Sequence, residues 1–343
     1  MRLSDIKAQE AAVRALRGSI KKALVTHAYL FAGPRNTGKT TAALSFAAAL
    51  NCADPTPEGD ACGFCMSCVR IQAGSDADVV LIPPEKDQTT IDQMREMIRS
   101  LDYAPLSGKY KVVIVEQADT LNPHSENCIL KILEEAPPYA VLILVVANPN
   151  ALLPTIRSRC RTVRFRRAGT QEVEEFLKER FDLPSEERRV IATCAQGAIG
   201  RAVTLASGTE FMEERQVVLQ MMRDWADGPP VLSLQAAELI RRLAEPKKDD
   251  PDERTRIVRL TEALRHILSW YADLLALKVR GDRAAMVNAD CEDDLKALEG
   301  HYSIGRLREA VKVIMETRRR IEGNITPQLA LENMFFDLRP DPG

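Results

Sequence analysis

Gly33-Pro-Arg-Asn-Thr-Gly38-Lys39-Thr40 lies between the apolar run Ala28-Tyr-Leu-Phe-Ala32 and the amphipathic run Thr40 to Leu50. The stretch fits G-x-x-x-x-G-K-[ST], and a strand before it with a helix after it is the context this motif requires. In such a loop the glycines let backbone N–H groups curl around a phosphate, and the helix N-terminus adds a favourable dipole. Lys39 then reaches the β and γ oxygens and Thr40 ligates Mg²⁺. Pro34, Arg35, Asn36, Thr37 and Thr41 complete the candidate nucleotide-binding set. The plainer alternative is an ordinary Gly-rich strand-to-helix turn, over which the flanks favour the phosphate loop.

Working outward, Asp78-Val-Val-Leu-Ile82, Tyr110-Lys-Val-Val-Ile-Val115 and Val141-Leu-Ile-Leu-Val-Val-Ala147 read as further strands. The last two are nearly continuous apolar runs, as expected of strands buried on both faces. Ile91 to Leu101 and Asn127 to Glu135 carry apolar residues at helical spacing and read as crossover helices. The alternation predicts an α/β fold with a mostly parallel sheet covered by helices. From about residue 169 the strand-like runs stop and helical patterns continue to the C-terminus. Thr170 to Ser207 reads as a small helical bundle with breaks near Leu183-Pro184 and Gly197, and Gly208-Thr-Glu210 as a boundary. Ala244 to Asp252, six of whose nine residues are charged, reads as a mobile loop.

Composition limits what such a chain does. With 343 residues, 45% of them apolar and 28% charged, it is long enough for two or three domains, and disorder is excluded. Lys plus Arg number 47 against 49 Asp plus Glu, so a globally basic nucleic-acid coat is excluded and any nucleic-acid contact is local. No run approaches eighteen apolar residues and the start has no signal-peptide core, so a soluble, cytoplasmic protein with no membrane association is expected. There, eight cysteines are not expected to form disulfides.

Four of those cysteines, Cys52, Cys62, Cys65 and Cys68, fall within 17 residues. The spacing C-x₉-C-x₂-C-x₂-C supplies four thiolates around a tight turn, which suits a closed tetrahedral zinc site of the structural kind. An iron–sulfur cluster is the competing occupant. Cys128, Cys160, Cys194 and Cys291 read as small core residues, and the scattered His27, His124, His266 and His301 have no metal spacing.

The second half of a phosphate-loop site is an acidic pair at the end of a later strand, one carboxylate holding Mg²⁺ and one activating water. Here that strand is followed by Glu116-Gln117-Ala118-Asp119. Glu116 takes the metal position and Gln117 the water-activating one. An amide cannot take a proton from water, so binding with poor hydrolysis is expected unless Asp119 substitutes as base; the alternative is that Asp119 caps the following helix. Further on, Arg157, Arg159, Arg161, Arg164, Arg166 and Arg167 fall within eleven residues. Arg159 reads as a group for a phosphate, either as an arginine finger or on a phosphodiester backbone. Arg164 and Arg166 read as a solvated strand edge.

In order, the phosphate loop, the four cysteines, Ile91-Asp-Gln-Met-Arg95, Glu116-Gln-Ala-Asp119, Ile129-Leu-Lys-Ile-Leu-Glu-Glu135-Ala-Pro-Pro138, Ser158-Arg159-Cys160 and Asn324 to Glu332 resemble the bacterial clamp-loader AAA+ ATPases over nearly the whole chain. The resemblance implies an AAA+ P-loop domain at 1–168 with a zinc-binding insertion at 52–68, a helical lid at 169–208 and an all-α collar for oligomerisation at 209–343. It implies that Arg159 points in trans at ATP held by a neighbouring subunit, and that Asn148 is the polar sensor that orients water. It implies partners as well: gamma/tau and delta subunits in a hetero-pentameric ring, the sliding clamp, and primed DNA through the assembled complex of DNA polymerase III. Three departures set this chain apart from the hydrolysing gamma/tau type. These are Glu116-Gln117, Gly197-Ala-Ile-Gly200 with Arg201 one place late, and a chain that stops after the collar. The alternative is a self-sufficient gamma/tau-type ATPase.

Overall fold

The computed structural model describes residues 1–84, 91–101, 103–208, 210–226, 228–245, 253–281, 286–323 and 326–339. The chain divides into two compact units, Met1–Leu205 and Ala206–Gly343.

The first unit opens with helix α1 (Glu10–Lys21), strand β1 (Ala28–Ala32) and α2 (Lys39–Leu50). The cysteine loop leads into the short α3 (Met66–Gln72), followed by β2 (Val79–Ile82), α4 (Ile91–Leu101) and β3 (Lys111–Val115). Next come α5 (Pro123–Glu134), β4 (Ala140–Val146), α6 (Pro154–Arg159) and β5 (Arg161–Arg164). The five strands form one sheet in the order β2-β3-β4-β1-β5, every neighbouring pair parallel. Strands β1, β3 and β4 are buried along their whole length, which is why their sequences are apolar without alternation. One face packs Tyr29 and Phe31 against Phe46 and Ala47 of α2. The other packs Leu30, Val113 and Leu142 against Met94, Ile129 and Leu133 of α4 and α5. This is the helix-covered parallel α/β sheet expected from the sequence.

Helix α5 begins a turn earlier than the apolar spacing from Asn127 indicates. Asn122 is its N-cap, with Oδ1 accepting from Ser125 N at 2.9 Å, and Pro123 fills the first helical position. Both are start signals in their own right. Helices α7 (Thr170–Arg180), α8 (Ser185–Ala195) and α9 (Ile199–Ser207) follow the sheet. Gly197, at φ +76°, makes the turn into α9; a Cβ there would lie 2.3 Å from the Ala168 carbonyl.

The second unit contains α10 (Phe211–Ala226), α11 (Leu232–Leu243), α12 (Glu253–Arg280), α13 (Glu292–Glu299), α14 (Ile304–Glu322) and α15 (Pro327–Asp337). Its core is built around Trp225, Trp270, Tyr271 and Phe335, so both tryptophans are packing residues. The charged stretch 246–252 lies outside the described residues, as do Asn324 and Ile325 at the start of the tail motif. Among the described residues, no helix is long and apolar enough to cross a membrane.

A carboxylate anchors the loop that enters β3. Asp78 is buried and accepts from the backbone N–H groups of Leu106, Ser107 and Gly108 at 2.7, 2.8 and 2.8 Å. Burial alone would raise its pKa, but these donors outweigh burial and hold it below the ordinary carboxylate value. Asp78→Ala is expected to cost about 1–3 kcal/mol at neutral pH, because it takes the buried carboxylate away from three part-buried backbone donors. Since the folded pKa is the lower one, the contribution is complete above about pH 4 and disappears as acid carries the pH through the folded value. Urea melts at pH 7 and pH 3 check both points: the variant's deficit should be present at the first and shrink at the second.

Candidate functional site

The phosphate loop leaves the sheet where β1 and β4 end side by side, with Gly33 N donating to the Val146 carbonyl at 3.2 Å. A Cβ at Gly33 would lie 2.3 Å from the Phe165 carbonyl, so this glycine is required by close backbone approach. Gly38 caps α2 in the left-handed region at φ +86°. Thr37 is buried and donates from Oγ1 to the Pro34 carbonyl at 2.9 Å, which closes the loop on itself. Arg35 and Asn36 are exposed at the loop tip.

Lys39 is buried, its Nζ donating to the carbonyls of Gly33 (2.7 Å) and Pro34. Burial pushes its pKa down to about 8; Asp119 opposes this shift and Arg35 adds to it. Asp119 therefore faces the same loop as Lys39. Next to it, Thr40 Oγ1 donates to Glu116 Oε1 at 2.6 Å, so the hydroxyl and carboxylate expected to share Mg²⁺ already meet. Gln117 adopts a left-handed backbone, φ +47° and ψ +42°, which is rare for a residue with a long side chain and puts a strained residue at the expected water-activating position.

Asp119 does not cap the next helix. Its Oδ2 accepts from the backbone N–H groups of Ala147 and Asn148 at 3.2 and 3.0 Å and so ties β3 to the end of β4. Asn148 uses its Oδ1 to cap the turn Pro149–Ala151, accepting from Asn150 N at 3.1 Å. The fold thus gathers Gly33 to Thr41, Glu116, Gln117, Asp119 and Asn148 at the C-terminal edge of the parallel sheet.

Arg159 is not in that group. It ends α6, immediately before β5 begins, and therefore sits at the N-terminal edge of the sheet. It shares a cavity of about 440 Å³ there with His27, Pro138 and Arg161. Its guanidinium pairs with Glu134 at 2.7 Å and donates to the Thr155 carbonyl at 3.1 Å. At about 3.3 Å per residue, the four steps along β1 hold the two edges on the order of 13 Å apart.

Arg164 is exposed on β5, as expected of a strand edge, but Arg166 is not part of that edge. It lies beyond the strand and pairs with Glu172 (2.7 Å) in the first turn of α7 and with Glu10 (3.4 Å). The sequence also does not single out Gln9. Its buried side chain donates to the Arg166 carbonyl at 2.7 Å and accepts from Arg166 N at 3.0 Å, clasping the segment between β5 and α7. Similarly, the Asn36 carbonyl accepts from Gly200 N at 2.8 Å, which docks the start of α9 on the phosphate loop. Only the fold brings these distant positions together.

The four cysteine sulfurs lie within 4.8 Å of one another. Cys52–Cys65, Cys62–Cys68 and Cys52–Cys68 are 4.0, 3.9 and 3.7 Å apart. Four sulfurs about 2.3 Å from one ion at tetrahedral angles lie about 3.8 Å from each other. The set therefore fits one metal ion, whereas a cluster with several irons between the thiolates requires wider spacing. Cys160, Cys194 and Cys291 are buried and Cys128 half-buried.

The family model for "DNA polymerase III, delta subunit" matches residues 8–169, and that for "DNA polymerase III, delta subunit, C terminal" matches 233–339. Chain-to-chain similarity agrees. The tau/gamma subunit of DNA polymerase III from Haemophilus influenzae is 32% identical over 62% of this chain and 32% of its own length. The delta-prime subunit from Bacillus subtilis is 25% identical over 96% of each chain. A solved gamma subunit-related protein from Thermotoga maritima aligns with 94% of this chain and 98% of its own, at 18% identity and a TM-score of 0.49. The chain spans only a third to a half of the length of the tau-type relatives it matches. The chain belongs to the DNA polymerase III clamp-loader subunits, and its end-to-end likeness is to the delta-prime type.

Proposed function

We propose that the protein is the delta-prime subunit of a clamp loader, a ring member that completes a neighbour's ATPase site rather than running its own. The observation that carries this is the placement of Arg159 at the sheet edge opposite Gly33 to Thr40. From there the guanidinium is out of reach of a phosphate on its own loop and free to meet one on an adjacent subunit. An arginine so placed stabilises the charge that develops on the transferred phosphoryl group. In this reading the partners are gamma/tau and delta in a hetero-pentameric ring, acting in the cytoplasm on the sliding clamp and on primed DNA. Residues 1–168, 169–208 and 209–343 are nucleotide-binding, lid and collar domains, and the four thiolates hold structural zinc.

The chain's own loop binds Mg·ATP and hydrolyses it poorly. Lys39 and the loop N–H groups contact the phosphates, and Thr40 with Glu116 holds the metal. With Gln117 at the water-activating position and Asp119 engaged by two backbone donors, no free carboxylate among the described residues is set to take the proton from water. Steady-state hydrolysis by the isolated chain tests this. Turnover at background level, equal to that of Lys39→Ala, is expected, together with Mg·ATP binding that Lys39→Ala abolishes. Robust turnover abolished by Lys39→Ala would instead favour a gamma/tau-type motor.

A further inference from the structure

One short segment serves both the cysteine loop and the phosphate loop. The Met1 ammonium donates to Gln72 Oε1 at 3.0 Å at the end of α3, and the Arg2 guanidinium donates to the Cys62 carbonyl. Leu3 N and Ser4 N donate to the two oxygens of Asp60 at 2.8 and 2.9 Å. Asp60 is buried two residues before Cys62, and it also binds Ala61 N and the Arg17 guanidinium. Leu3 is fully buried in the core that contains Cys62, Cys68 and Phe46 of α2. On its other side the same segment walls a cavity of about 490 Å³, in which Met1, Arg2, Asp5 and Ile6 face Gly38 and Thr41 of the phosphate loop.

We infer that the metal knuckle is coupled to nucleotide binding through residues 1–6, with Asp60 as the positioning residue. The inference rests on the nucleotide reading of the phosphate loop. Residues 52–65 form neither helix nor strand, so four thiolates on one ion would add to Arg17 in holding Asp60 and the Cys62 carbonyl in place. Those two groups in turn hold the strap that walls the cavity beside Gly38 and Thr41 of the phosphate loop. Asp60 is neither a thiolate ligand nor part of that wall, so its effect on nucleotide must pass through the strap. A coupling of this kind is reciprocal: whatever factor metal contributes to nucleotide affinity, nucleotide contributes to metal affinity.

The test uses the full chain loaded with one zinc. Zinc affinity is measured by equilibrium competition against a chromogenic chelator, with and without saturating Mg·ATP; the Lys39→Ala chain corrects for zinc bound by ATP itself. Mg·ATP should tighten zinc retention on the order of tenfold, within the usual range for coupled sites, and Lys39→Ala should abolish the shift. In calorimetry, Asp60→Asn should keep its zinc and bind Mg·ATP on the order of tenfold more weakly. If the wild-type chain binds Mg·ATP while its zinc affinity is unchanged, the coupling is overturned and the nucleotide reading stands. If Asp60→Asn keeps both zinc and wild-type nucleotide affinity, the strap is not the route. If the zinc-loaded wild type fails to bind Mg·ATP, both readings fall.

Discussion

Arg159→Ala, reconstituted with the other ring subunits, is expected to slow ATP hydrolysis at the adjoining site by about 10³–10⁵-fold and to block clamp loading. The isolated chain should fold as before. The residue is 37% exposed, and its partner Glu134 is 53% exposed. Such a surface ion pair contributes about 0–1 kcal/mol, so its loss leaves stability nearly unchanged. In the proposed trans-acting role the pair would aim the guanidinium from the last residue of α6, and its weakness would let a phosphate displace the carboxylate. Arg159→Lys should recover little, because an ammonium keeps the charge but not the planar fork that grips two oxygens. Arg164→Ala, on the exposed face of β5, serves as the control and should turn over at the wild-type rate. A reconstituted Arg159→Ala ring that loads clamps normally would remove the trans-acting role.

Metal removal should produce the largest change in stability. The purified chain is expected to carry one zinc by elemental analysis, without the visible absorption of an iron–sulfur cluster. The double substitution Cys62→Ser, Cys68→Ser should carry none. Structural zinc sites bind with about 10–16 kcal/mol in small zinc peptides, and that binding is folding free energy. Here the sheet has its own core, so only part of it is expressed globally. Even a loss of ~4 kcal/mol would lower the melting midpoint of a unit this size by about 8–16 °C. Cys62 and Cys68 are buried in the core that holds Leu3 and Phe46, so disorder at the knuckle reaches the packing of α2. A wild-type chain that melts identically with and without chelator would sink the structural role of the site.

Much of this was legible beforehand because the signals are local. A phosphate loop needs its glycines, lysine and threonine within eight residues, and three of the four cysteines lie on two C-x₂-C steps. The central strands announce themselves because burial on both faces suppresses any polar alternation. The start of α5 was also written locally, in Asn122-Pro123, although apolar spacing alone places it a turn late. Arg166 is the opposite case: alternation with Phe165 assigns it to a strand edge, yet its partners lie in the first turn of α7 and at the start of α1.

What sequence alone determined, then, is the chemistry available: a phosphate cradle, four thiolates, a glutamate-glutamine pair where two acids are usual, and an arginine after a strand. Tertiary structure decided who meets whom. Parallel strands put every loop after a strand on one edge and every residue before a strand on the other. That geometry separates Arg159 from Lys39. It also brings Leu3 and Ser4 to Asp60, more than fifty positions away, because a buried carboxylate must find its donors wherever the folded chain supplies them.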